Sequence, residues 1–172
     1  MVAGGAVVHD LYRFDDPRAA ATWEAVDDRV MGGVSRSRVR HDPAGHAVFE
    51  GTLSLAQGGG FASVRADVAL PAGAAPTCWR LEVRGDGRRY KFTLRASATF
   101  DAVSWQASFD APIGEWRMVR LATADFIPTF RGRRVDAPPL DPARVRTLGL
   151  MFADRPAGPF ALALRRVAIE SD

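Results

Sequence analysis

Cysteine is nearly absent: Cys78 is the only one among 172 residues. No intrachain disulfide and no cysteine-based zinc site can form, which fits a reducing cytoplasm. Lysine is equally scarce, because Lys91 is the only one and arginine carries nearly all the positive charge. That bias is what a GC-rich genome produces. The formal net charge of +3 is too small to mark a nucleic-acid partner. No run of like charge exceeds Arg131-Gly132-Arg133-Arg134, so a basic tail is excluded. No apolar stretch approaches the ~20 residues of a membrane span. Met1 to Val8 has neither the basic start of a signal peptide nor the arginines of a transit sequence. The expectation is a soluble, cytoplasmic, single-domain chain over 1–172.

The common catalytic signatures are also missing. There is no Gly-x-Ser-x-Gly elbow, no phosphate-binding Gly-x-x-x-x-Gly-Lys and no His-Glu-x-x-His. The triple glycine at 58–60 precedes a strand rather than a helix, so it lacks the helix N-terminus that holds phosphate. Of the three histidines, His41 and His46 flank a turn and read as a solvated pair. Asp27 and Asp28 are adjacent, and neighbouring carboxylates on an extended chain point apart, a poor Ca²⁺ set. No catalytic residue, metal or cofactor is expected.

What the chain has is alternation. Trp79, Leu81 and Val83 oppose Arg80, Glu82 and Arg84; Tyr90, Phe92 and Leu94 oppose Lys91, Thr93 and Arg95. Val103, Trp105, Ala107 and Phe109 oppose Ser104, Gln106, Ser108 and Asp110. One buried face per strand belongs to antiparallel sheets. Asp16 and Pro17 predict one short helix start. In the last strand, Phe160, Leu162 and Leu164 change parity to Val167 and Ile169, which a bulge at Arg165-Arg166 would restore. Asp125 to Pro142 has prolines, arginines and little periodicity, and reads as a long loop pinned by its apolar residues. About ten short strands with almost no helix predict an all-β, antiparallel sandwich or barrel.

Two stretches stand out. Trp23 to Ser37 runs Trp-Glu-Ala-Val-Asp-Asp-Arg-Val-Met-Gly-Gly-Val-Ser-Arg-Ser, a shaped loop between strands. Phe61, Ser63, Arg65 and Asp67 share the non-core face of a strand whose other face is Ala62, Val64, Ala66 and Val68. The Asp27–Gly33 loop is predicted to lie against that face, with Arg65 held by a carboxylate or loop carbonyls, since its planar fork donates to two acceptors at once. Arg65 is then structural, and the Arg29–Met31 tip binds.

With Gly51-Thr52-Leu53-Ser54-Leu55, Gly59-Gly60-Phe61-Ala62-Ser63-Val64-Arg65, Phe130-Arg131-Gly132-Arg133 and Gly158-Pro159-Phe160, these stretches resemble the complex I intermediate-associated protein 30 family. That family is named for a mitochondrial assembly factor of NADH:ubiquinone oxidoreductase, and the resemblance implies one of its free-standing bacterial versions. The resemblance runs from about Leu11 to Ile169. It implies a galactose-binding-domain-like jelly roll and a non-catalytic binding, assembly or chaperone-like role toward a protein partner, peripheral to a membrane complex. The candidate binding residues are Asp27, Asp28, Arg29, Met31, Phe61, Ser63, Arg65, Arg131, Arg133 and Asp154. The sequence departs from the family pattern at Ala122, Gln57 and Pro156. The alternative is a carbohydrate- or small-ligand-binding sandwich, with Trp105-Gln106 or Trp116 as aromatic platforms.

Overall fold

Alternating apolar and polar residues give each strand one face to bury, and the chain buries them between two antiparallel sheets. The structure, a computed structural model, describes residues 5–27, 33–56, 60–97 and 103–172. Among these, sheet A holds β3 (Arg36–Asp42), β4 (His46–Leu53), β13 (Gly158–Ser171), β6 (Cys78–Arg84) and β9 (Arg117–Ala122), in that order. β1 (Val7–Arg13) also pairs with β13, along its C-terminal half. Sheet B runs β11 (Arg133–Arg134), β10 (Ile127–Phe130), β8 (Ser104–Asp110), β7 (Arg89–Arg95), β12 (Thr147–Phe152), β5 (Ala62–Asp67) and β2 (Glu24–Ala25). Every sheet pairing is antiparallel. The architecture is the antiparallel sandwich that the strand pattern predicts and the jelly roll that the family resemblance implies, with thirteen strands among the described residues rather than about ten.

The core lies between the sheets. Trp79, Leu81 and Val83 of β6 and Leu162, Leu164 and Val167 of β13 are fully buried from sheet A. Tyr90, Phe92 and Leu94 of β7 and Val64 of β5 meet them from sheet B. Aromatic rings tie the layers: Phe49 meets Tyr90 and Trp79 meets Phe92, each at 6.2 Å between ring centres, distances at which tilted rings attract. The one α-helix among the described residues, α1 (Pro17–Ala21), starts where Asp16 Oδ1 accepts from the Arg18 N–H.

β13 can serve both halves of sheet A because of its bulge. Leu164 pairs with Val83 and Arg166 with Glu82, so Arg165 is the extra residue. Its insertion returns Val167 and Ile169 to the core.

Two expectations are corrected. The stretch after Asp125 is not one long loop: Phe126 is buried, and β10 and β11 form a hairpin against β8. Its tip, Arg131-Gly132, has φ of 50° and 79°, the positive pair that a two-residue hairpin turn needs. His46 is buried rather than solvated, edge-on to Trp116 at 5.3 Å, and burial pushes its pKa down. No helix among the described residues is long and apolar enough to cross a membrane.

Candidate functional site

The two sheets differ in how their outward faces handle charge. On sheet A, the arginines of alternate positions meet carboxylates. Arg40 pairs with Glu50, Arg166 with Asp10, and Arg165 with Glu82 at 3.3 Å. Glu170 takes both Arg80 and Arg120. These pairs neutralise one another across the strands, as a structural face does.

Sheet B is built differently. Its register sets Glu24, Arg65, Gly149, Thr93, Gln106 and Ile127 on one line across six strands. A flanking line carries Asp67, Thr147 and Arg95, with Ser104 paired to Thr129 beyond. On the other side run Ser63, Met151, Lys91 and Ser108. These positions alternate with the core residues, so they face away from the apolar interior. Yet Ser63, Thr93, Arg95, Ser104 and Thr147 are all buried. The face is partly covered, in part by Ser97 just after β7, whose carbonyl accepts from Thr147 Oγ1.

Glycine shapes its floor. A Cβ on Gly149 would sit 2.2 Å from Thr93 Oγ1 and 3.6 Å from Arg65 Cγ. The missing side chain leaves the space that the threonine hydroxyl and the arginine stem occupy. Burial lowers the Arg65 pKa to about 10, and the nearby Arg95 guanidinium adds to the shift. Burial lowers that of Arg95 as well. Ser104 Oγ is buried with no hydrogen-bond partner among the described residues.

The predicted site residues fall in several places. Asp27 is buried and holds the two sheets together. Its carboxylate accepts from Ser37 Oγ at 2.5 Å and Ser37 N at 3.1 Å on β3, and from Ser63 N at 2.9 Å on β5. Ser63 Oγ in turn donates to the Val26 carbonyl. Asp27 and Ser63 therefore meet, but as a clasp. The Asp27 carboxylate is engaged by these two serines. Asp28, Arg29 and Met31 lie outside the described residues. Phe61 is partly exposed just ahead of β5.

The expected gathering of Arg65 with Arg131 and Arg133 does not occur. Their hairpin is the opposite edge of sheet B, four strand steps from β5, or about 19 Å at the usual strand spacing. Asp154 sits past the end of β12, accepting from the Arg89 N–H at 3.2 Å and pairing with Arg88 at 3.6 Å. Thr93, Arg95, Ser104 and Gln106 were missed as site residues. Their signal was present as the polar halves of two consecutive alternating strands, which periodicity alone assigns to solvent.

The two proposed aromatic platforms, both half-buried, differ in what covers them. Trp105 packs against the core and lines a cleft of about 580 Å³ with Phe126, Pro128 and Leu140. Trp116 is covered by Arg165 at 3.9 Å and Arg84 at 4.9 Å.

In fold, the chain resembles the family 11 carbohydrate-binding module of Clostridium thermocellum, solved with a mixed-linked tetrasaccharide. The TM-score is 0.64 over 96% of both chains, at 12% identity. That likeness makes the jelly roll galactose-binding-like. In sequence, it is 26% identical over 94% of its length to a probable complex I intermediate-associated protein 30, mitochondrial, of Caenorhabditis elegans. The Caenorhabditis briggsae counterpart is 25% identical over the same share. The chain spans about half, 54%, of the length of these relatives. Both are described as mitochondrial, which overturns the expectation of a cytoplasmic protein. The named relatives also give no support to a bacterial setting. Residues 12–164 match the family described as complex I intermediate-associated protein 30, and the chain belongs to that family.

Proposed function

We propose that this chain is a non-catalytic binding module that assists assembly of a respiratory complex of the NADH:ubiquinone oxidoreductase type. In this reading it holds a protein partner on the outward face of sheet B. The observation that carries the reading is the contrast between the two outward faces. Sheet A presents mutually paired charges, whereas sheet B presents buried hydroxyls and two desolvated arginines. Desolvated, perturbed polar groups cluster at functional sites, and arginine is favoured at protein interfaces.

A carbohydrate-binding role, suggested by the fold neighbours, has less support. Fold alone does not carry function, and the three lines of side chains across sheet B contain no aromatic residue.

The test is native-gel fractionation of the host's membranes with the chain tagged, and again with its gene deleted. Co-migration with partial assemblies of the oxidoreductase, and their accumulation on deletion, is the expected result. A tagged chain that migrates alone, together with normal complex levels in the deletion strain, overturns the proposal.

A further inference from the structure

We infer that the cleft at Trp105 binds a small, neutral aromatic molecule the size of two fused rings. This goes beyond the protein-binding reading above and does not depend on it. Trp105 lies on the core side of β8, not on the outward face of sheet B.

The walls of the cleft come from both layers. The stretch leading into β6 supplies Pro76 and Thr77, and the turn after β9 supplies Thr123 and Ala124. From sheet B, β8 and β10 supply Trp105 and Pro128, and the segment after β11 adds Pro138, Pro139 and Leu140. Phe126 ties the lining to the core: it is buried and meets Phe92 at 6.3 Å between ring centres. Backbone hydrogen bonds hold these segments in place. Thr77 N donates to the Glu170 carbonyl and Thr123 N to the Thr77 carbonyl, each at 2.9 Å, and Val135 N donates to the Pro128 carbonyl at 3.1 Å. Five of the thirteen lining residues are proline, whose ring fixes φ. A site already shaped in this way gives up little freedom on binding.

The lining decides the occupant. None of the thirteen residues has an ionisable side chain, so a charged group would lose water there without gaining a partner. The two polar side chains are already engaged. Thr123 Oγ1 accepts from Trp79 Nε1 at 3.1 Å and donates to the Pro76 carbonyl at 2.7 Å. Thr77 Oγ1 donates to the Glu170 carbonyl at 3.4 Å. Proline offers no backbone N–H, so a sugar would leave most of its hydroxyls unpaired, at a cost for each. What the cleft does offer is flat apolar surface: the half-buried indole of Trp105, the Phe126 ring and the proline rings. An aromatic ring packs well against such faces. An apolar cavity of about 150 Å³ stays dry and takes benzene, so a cleft of about 580 Å³ has room for two fused rings.

The test titrates 2-naphthol, a neutral pair of fused rings, into the whole chain at pH 7 by calorimetry. Saturable binding at one site is expected. 2-Naphthoate, which carries the same rings with a negative charge, should bind at least tenfold more weakly, and methyl β-glucoside should not bind. Trp105→Ala should weaken 2-naphthol at least tenfold. Because Trp105 also packs against the core, Ala124→Asp provides the second variant. Ala124 lines the cleft at an exposed position, so the chain should stay folded while the new carboxylate weakens 2-naphthol at least tenfold. Trp116→Phe, at the tryptophan covered by Arg165, should leave binding unchanged. Absence of saturable 2-naphthol binding overturns the inference. So does unchanged binding in Ala124→Asp, an equal loss in Trp116→Phe, or 2-naphthoate or the glucoside matching 2-naphthol. If the chain ignores 2-naphthol but Ala124→Asp abolishes capture of the protein partner, the cleft takes a partner side chain instead and the inference fails.

Discussion

Asp27 and Ser37 join the two sheets. The Ser37 hydroxyl on sheet A donates to the Asp27 carboxylate at 2.5 Å, and the same carboxylate accepts from Ser63 N on sheet B at 2.9 Å. A short carboxylate thus closes the edge where β3 faces β2 and β5. Without it, two backbone N–H groups and a hydroxyl would be left without this acceptor.

The expected consequence is a large effect from a small truncation. Asp27→Ala should cost about 3 kcal/mol, because hydrogen bonds to charged groups contribute about 1.5–3 kcal/mol and abandoned donors add to the loss. Ser37→Ala should cost about 1 kcal/mol. In urea melts, a loss below half a kcal/mol for Asp27→Ala would show that the edge is held by something else.

Core packing gives a second expectation. Leu81 is fully buried on β6, between the cross-strand partners Val167 and Val119. Leu81→Ala should cost about 2–5 kcal/mol through lost contacts and the cavity left behind. A near-neutral change would contradict the facing of β6.

The glycines provide a paired test of close approach. A Cβ at Gly51 would lie 2.0 Å from the Arg36 carbonyl oxygen, a backbone atom. At Gly149 the obstacle is the Thr93 hydroxyl at 2.2 Å, a side chain that can be removed. Both alanine variants should lose stability, on the order of 1–3 kcal/mol, with Gly51→Ala the worse. Adding Thr93→Ala should recover part of the Gly149→Ala loss. No recovery would mean that the clash at Gly149 lies with the backbone.

Acid stability should depend on Glu170. Hydrogen bonds from Arg80 and then Arg120 pull its carboxyl from the ordinary 4.5 down to about 2. The folded value lies below the unfolded one, so this stabilisation is present above pH about 4.5 and fades as pH falls toward about 2. Glu170→Gln should therefore be less stable than wild type at neutral pH, with the gap narrowing across that window. Parallel stability curves through the acid limb would contradict this.

Much of the fold was legible because parity is a local signal. The switch between Leu164 and Val167 located the bulge at Arg165, and Asp16-Pro17 located the start of α1. The β10–β11 hairpin was hidden, since Pro128 interrupts its alternation and its turn uses Arg131 at a positive φ, where glycine or asparagine would announce it. The site was harder to read. Asp27 works by reaching across to a strand ten residues later and another thirty-six later. The burial of Thr93 and Arg95 on the outward face depends on what folds over them. Alternation reports which way a side chain points, not whether water reaches it.

The central claim, that the partner docks on the outward face of sheet B, has a direct test. Cys78 is buried, so one introduced surface cysteine can carry a short photocross-linker alone. Placed at Gln106 or Thr129 on sheet B, it should trap the partner subunit of the assembling complex. Placed at Arg38 or Met118 on sheet A, it should not. Cross-links from the sheet A positions, with none from sheet B, would contradict the account.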